Sequence, residues 1–138
     1  MDEPEGFRWM RFRAEWSPHS HVNVRGLVRL VMDVKDILGS DLSMVELGSW
    51  AGESTSFFIG SGLFSSITLI DFWTDSFAEH VCRQNITGRK EVKMLKGNLQ
   101  EIGKTWKEGE IDLLYIDADH SYEGTKTAIE LWSKHIRP

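Results

Sequence analysis

Met44-Val45-Glu46-Leu47-Gly48-Ser49-Trp50-Ala51-Gly52-Glu53-Ser54 is the stretch whose reading decides the fold. Residues 44–47 form a short apolar run bounded by glycine, the signature of a buried strand. Gly48 stands where that strand must turn sharply, and Gly52 where the next helix needs close backbone approach. Helical sequence then runs from about Ser54 to Gly60. The unit is strand, glycine turn, helix.

Working outward, the same unit recurs. Ile67-Thr68-Leu69-Ile70 predicts a second strand ending at Asp71, with Ser76 as the cap of a helix reaching Asn85. Val92-Lys93-Met94-Leu95 predicts a third strand, and Asn98 with Glu101 a capping box for a helix to about Trp106. Ile111-Asp112-Leu113-Leu114-Tyr115-Ile116 predicts a fourth strand ending at Asp117. A last helix, Tyr122 to His135, places Thr125, Ala128, Ile129, Trp132 and Ile136 on one face. Ahead of the first strand, Asn23 caps a helix carrying Val24, Leu27, Val28, Val31, Val34 and Leu38, ended by Gly39. Strands alternating with helices imply an α/β, Rossmann-like, doubly wound parallel sheet with right-handed crossovers. Ligands of such sheets bind outside the carboxyl ends of the strands, where each of the notable polar residues falls.

The chain of 138 residues fits one domain, over 23–138, preceded by an aromatic amino-terminal segment, 1–22. That segment interleaves Phe7, Trp9, Met10, Phe12 and Trp16 with Arg8, Arg11 and Arg13, and reads as packing on the domain or a neighbour, or as a lid over a pocket. With 41% apolar and 27% charged residues the chain is not disordered, and a net charge of -5 argues against nucleic acid as a partner. Its single cysteine, Cys82, forms no internal disulfide, and no run is long enough to span a membrane. The acidic start lacks an apolar run, so a cytoplasmic location is expected and the sequon Asn85-Ile86-Thr87 reads as chance.

The glycine turn is not the dinucleotide pattern, because Trp50 stands where a pyrophosphate needs bare backbone. S-adenosylmethionine makes other demands: it has no phosphate and carries an ammonium and a sulfonium. Glu46 near the turn suits those cations, and Gly48, Ser49, Trp50, Gly52 and Ser54 form a candidate cradle whose N–H groups at the helix start take the methionine carboxylate. An ordinary strand-to-helix turn with an exposed Glu46 is the plainer reading. Asp71 is placed to accept both ribose hydroxyls, with Phe72 and Trp73 beside adenine; a turn aspartate with core aromatics is the alternative. Asn98 serves adenine, its helix, or both. In Asp117-Ala118-Asp119-His120-Ser121-Tyr122-Glu123, Asp117 reads as a metal ligand or cofactor contact. His120 reads as a general base or a structural side chain, with Asp119 or Ser121 capping the last helix.

With these elements in place the chain resembles class I S-adenosylmethionine-dependent methyltransferases. Within them it is similar to the branch whose fourth strand ends in D-x-D-H-x-Y, cephalosporin-hydroxylase-like and macrocin-type sugar O-methyltransferases. The matching stretches are V-E-L-G-S-W-A-G-E-S-T at 45–55, I-T-L-I-D-F-W at 67–73 and I-D-L-L-Y-I-D-A-D-H-S-Y-E-G at 111–124. The resemblance implies strand order 3-2-1-4, with Glu46, Gly48 and Gly52 around the methionine part, Asp71 on the ribose, Asn98 by the adenine and Asp117 at the reacting end. It implies methyl transfer to an oxygen of a small-molecule acceptor, with Asp117 and His120 catalytic. It also makes Asp117 a ligand to Mg²⁺ where a metal is used. An incomplete cofactor-binding or assembly module, or an enzyme that cleaves the cofactor, are the alternatives.

Relatives continue past the last helix through a P-G-G turn into a fifth, acidic strand and two more. The four strands read here leave the fourth as an open edge, apolar on both faces at Leu113-Leu114-Tyr115-Ile116. A longer chain, the amino-terminal segment or a second copy would cover it. The homo-oligomer is the testable case: light scattering at high concentration should give a mass above that of one 138-residue chain, and a monomer there refutes it.

Overall fold

The computed structural model describes residues 24–138; the expected cap Asn23 and the aromatic segment 1–22 lie outside the described residues. The elements are α1 (Val24–Leu38), β1 (Leu42–Leu47), α2 (Glu53–Ser61), β2 (Phe64–Asp71), α3 (Ser76–Asn85), β3 (Val92–Lys96), α4 (Leu99–Lys104), β4 (Leu113–Ile116) and α5 (Tyr122–Trp132), followed by a 3₁₀ turn at Ser133–His135. The strands form one parallel sheet in the order β3-β2-β1-β4. No helix among the described residues is long and apolar enough to cross a membrane.

Alternation along the strands splits the core in two. Leu42, Met44, Ile67 and Leu69 face α1 through Leu27, Val31 and Val34, α2 through Phe57, Phe58 and Ile59, and α3 through Cys82. Val45, Leu47 and Ile70 face the other way, against Trp132 of α5 and Leu99 and Ile102 of α4. The Trp132 indole is fully buried, donates Nε1–H to the Leu99 carbonyl at 3.2 Å and meets Trp106 edge-on with ring centroids 5.3 Å apart.

Several sequence boundaries move, each for a local reason. β4 loses Ile111 and Asp112. Asp112 instead clamps Ser43, accepting its N–H on Oδ2 at 2.8 Å while donating its own N–H to the Ser43 carbonyl at 2.8 Å. Ile111 pairs with the returning chain, bridging in parallel to Ile136, with Arg137 N donating to its carbonyl at 2.8 Å. The cap of α3 is Asp75, not Ser76: its carboxylate accepts from the N–H groups of Phe77 and Ala78. Asn98 caps α4 as expected, but the Glu101 carboxylate meets Lys104 rather than closing a box. The last helix gives way to the 3₁₀ turn after Trp132, so it ends before His135. Its inward face is Trp132, buried, with Ala128 and Leu131 partly buried; Ile129 is exposed, because α5 flanks the edge strand and, among the described residues, no further strand lies beneath that side.

Gly103 sets the distance between α4 and α5. A Cβ there would lie 2.9 Å from Leu131 Cδ2 and from the Trp132 ring. Gly103→Ala should therefore lower stability by about 1–3 kcal/mol, even though alanine is the better helix former by about 1 kcal/mol. Urea unfolding reads this as a lower midpoint at unchanged slope, and an unchanged midpoint would show that the two helices have room.

Candidate functional site

The carboxyl ends of the strands lie side by side because the ladder pairs Leu47 with Ile70 on one flank and with Ile116 on the other. Hydrogen bonds continue one residue past the strands: Gly48 N donates to the Ile70 carbonyl at 2.8 Å, Asp117 N to the Leu47 carbonyl at 2.8 Å, and Gly97 N to the Asp71 carbonyl at 3.0 Å. Gly48, Asp71 and Asp117 thus share one edge. Gly48 is required there on two counts: its φ is +85°, and a Cβ would lie 2.6 Å from Ala118 Cα and collide with the Asp117 carbonyl. Gly52, at φ +84°, sits over Cys82, whose Sγ would lie 3.2 Å from an added Cβ. The Cys82 side chain is buried, and burial together with the nearby Glu46 and Asp71 carboxylates pushes its thiol up to about 12.

Asp71 ties the two turns together. Its Oδ2 accepts the Trp50 N–H at 3.0 Å and its Oδ1 the Trp73 N–H at 2.7 Å. A carboxylate oxygen has two acceptor sites, so one on each oxygen remains for a ligand. Phe72 is half exposed and available to a flat ring, whereas Trp73, expected beside it, is only 3% exposed and belongs to the core. The Trp73 indole donates to the Trp50 carbonyl at 2.7 Å, and Asn85 donates to the Ala51 carbonyl at 3.0 Å, so the turn is held from α3 as well.

Glu46 does not fit the plainer reading of an ordinary strand-to-helix turn. It is 0% exposed, not an exposed residue at the turn. Strand alternation points it toward α2, where Ser54 Oγ donates to Oε2 at 2.8 Å and Thr55 Oγ1 to Oε1 at 2.6 Å. Burial raises its pKa above 4.5; the hydroxyls of Thr55, Ser49 and Ser54 pull the other way. Ser49 does so without a well-aligned bond: its hydroxyl is buried and is left with no hydrogen-bond partner among the described residues. Ser54 is therefore a partner of Glu46, and Thr55 is a residue the sequence reading missed. Its signal was a second hydroxyl at the start of α2, within reach of a carboxylate one strand back.

At the β4 end, His120 is 83% exposed and its Nε2 lies 3.8 Å from Asp117 Oδ1, with Asp117 half exposed. Exposure on that scale sets aside the structural reading of His120. Both capping candidates act locally instead. Asp119 accepts the Ser121 N–H at 2.8 Å, which lowers its pKa, and Ser121 accepts the Gly124 N–H at 3.0 Å to cap α5. Asn98 has its side-chain oxygen engaged by Gln100 and Glu101. No group of three or more His, Cys, Asp or Glu that could hold a metal ion is found among the described residues. The edge does fit a nucleoside-bearing cofactor: it offers spare acceptors on Asp71, the orphaned Ser49 hydroxyl and the exposed Phe72 ring.

Comparison with known proteins agrees with this geometry. A family described as "Methyltransferase domain" matches residues 45–138. No curated protein matches. An O-methyltransferase from Bacillus cereus in complex with S-adenosylhomocysteine superposes with a TM-score of 0.69 at 20% identity, covering 100% of this chain and 64% of that one. TomG, an O-methyltransferase from Streptomyces achromogenes involved in tomaymycin synthesis and solved with S-adenosylmethionine, gives 0.70 at 18% identity, covering 99% and 63%. The methyltransferase PaMTH1 from Podospora anserina, solved with S-adenosylhomocysteine, gives 0.66 at 19%, covering 95% and 55%. The chain spans less than two thirds of the length of each of these structures, and the likeness is one of fold.

The buried Glu46 carries a sign that can be checked. Its pKa is raised in the folded state, so above about 4.5 the native protein holds a proton that the unfolded chain has released. Stability is then lost as pH rises through the folded value. Glu46→Gln should flatten that decline when urea midpoints are compared from about pH 4 to about pH 8. An identical slope in both proteins would place the titration elsewhere.

Proposed function

The chain belongs to the methyltransferase-domain family, and on that premise we propose that it binds S-adenosylmethionine at the shared edge of β1, β2 and β4 and directs methyl transfer to an oxygen of a small polar acceptor. The observation that carries this reading is the Asp71 carboxylate, bonded to the Trp50 N–H of the β1 turn while keeping one acceptor site free on each oxygen. When bound, the cofactor supplies an electrophilic methyl group on a sulfonium.

The chain's own residues supply placement and proton handling. Asp71 receives the ribose hydroxyls, Phe72 stacks on the adenine, and Asn98 borders it while capping α4. The Ser49 hydroxyl and the turn's N–H groups receive the methionine carboxylate, which ends the isolation of that buried hydroxyl. Glu46 acts from below, holding Ser54 and Thr55 at the start of α2. His120 takes the acceptor's proton at Nε2, with the Asp117 carboxylate 3.8 Å away. Much of the rate in such a displacement comes from alignment of the reacting atoms. Crystal structures of O-methyltransferases holding the cofactor or its demethylated product support the oxygen acceptor. A cytoplasmic setting and a second copy against the β4 edge complete the proposal.

Calorimetric titration with S-adenosylmethionine is the deciding measurement. Native protein should bind, and Asp71→Ala should raise Kd about tenfold or more, equivalent to about 1.4 kcal/mol. His120→Ala should keep the affinity and lower kcat toward hydroxylated acceptors by about 10²- to 10⁴-fold. Absence of binding by native protein removes the reading. Methylthioadenosine or homoserine lactone as product would assign cofactor cleavage instead.

A further inference from the structure

Trp50 and Trp73 both hold φ at +45°, a left-handed backbone that bulky residues rarely adopt. Such positions persist where surrounding bonds over-determine them, and they gather at functional sites. Here the determinants form a closed circuit. Asp71 Oδ2 takes the Trp50 N–H at 3.0 Å, Asp71 Oδ1 takes the Trp73 N–H at 2.7 Å, and Trp73 Nε1–H returns to the Trp50 carbonyl at 2.7 Å. Trp73 is 3% exposed, so its ring is anchored in the core while its N–H reaches the turn.

We propose that Trp73 is a positioning residue for the cofactor: its backbone and indole N–H groups lock the Asp71 carboxylate and the Trp50 turn in the form that receives the ribose. The inference rests on the reading of Asp71 as the ribose acceptor and adds to it the residue that orients that acceptor. A carboxylate free to rotate loses conformational freedom on binding, whereas one held at both oxygens has already lost it. Without the indole N–H, the Trp50 carbonyl loses the donor that ties it to the core, which loosens the left-handed turn and the hold of the Trp50 N–H on Oδ2.

Trp73→Phe keeps a buried ring and removes the indole donor. Affinity for S-adenosylmethionine and for adenosine should fall by the same factor, about five- to tenfold, since both carry the ribose. In an Asp71→Ala background the same substitution should change affinity less than about twofold, because the group it orients is gone. A purely structural role would weaken binding equally in both backgrounds and would overturn the proposal. Unchanged affinity of Trp73→Phe while native protein binds also overturns it and leaves the proposed function standing. Failure of native protein to bind removes both. If Trp73→Phe does not fold, amide exchange in native protein decides. The Trp50 and Trp73 amides should be protected, and more so with S-adenosylmethionine; fast exchange at either shows that no lock exists.

Discussion

Everything at the carboxyl edge depends on one missing methyl group. Gly48 has no Cβ, and the backbone at Asp117 and Ala118 passes through the space a Cβ would fill. Contact at that range lets Asp117 N reach the Leu47 carbonyl, so β1 and β4 end together rather than splaying. The same glycine turns the chain at φ +85° into Ser49 and Trp50, which brings the Trp50 N–H onto Asp71 of β2. One residue thus sets the spacing of three strand ends. A larger residue would have to displace backbone, which no rotamer change can relieve.

Around that edge three carboxylates do three kinds of work, and environment separates them. Glu46 is enclosed and holds helix α2 by its hydroxyls; Asp71 braces two turns and keeps free lone pairs; Asp117 stands half open beside an exposed imidazole. Burial decides the first, backbone geometry the second and exposure the third. The enclosed acid lies innermost and the open one outermost.

Much of this was legible in the sequence. Apolar runs bounded by glycine gave the strands, and Asn98 gave a helix start, because both signals are local. The strand order came from resemblance and is the observed one. What was not legible depends on chain segments that meet only after folding. A carboxylate within Val45-Glu46-Leu47 reads as a strand-end acid until Ser54 and Thr55, eight and nine residues on, fold back over it. Asp75 and Ser76 are both good caps, and extended backbone at Asp75 chose between them. Trp73 looks like a cofactor aromatic in sequence; its φ of +45° turns its ring inward instead. Ile111 reads as strand and is claimed by Ile136, a partner 25 residues away that no local pattern announces.

The thiol beneath Gly52 has a bearing on oxidative chemistry. Cys82 is buried, and its titration is displaced to about 12, so the folded domain presents almost no thiolate. Sulfenic acid formation and alkylation proceed through the thiolate and need access. Oxidants and electrophiles therefore find no purchase on this sulfur while α3 stays seated under the glycine turn. Modification at Cys82 records moments when that helix has lifted, which makes the chain's one cysteine a chemical register of how often the carboxyl edge of the sheet comes apart.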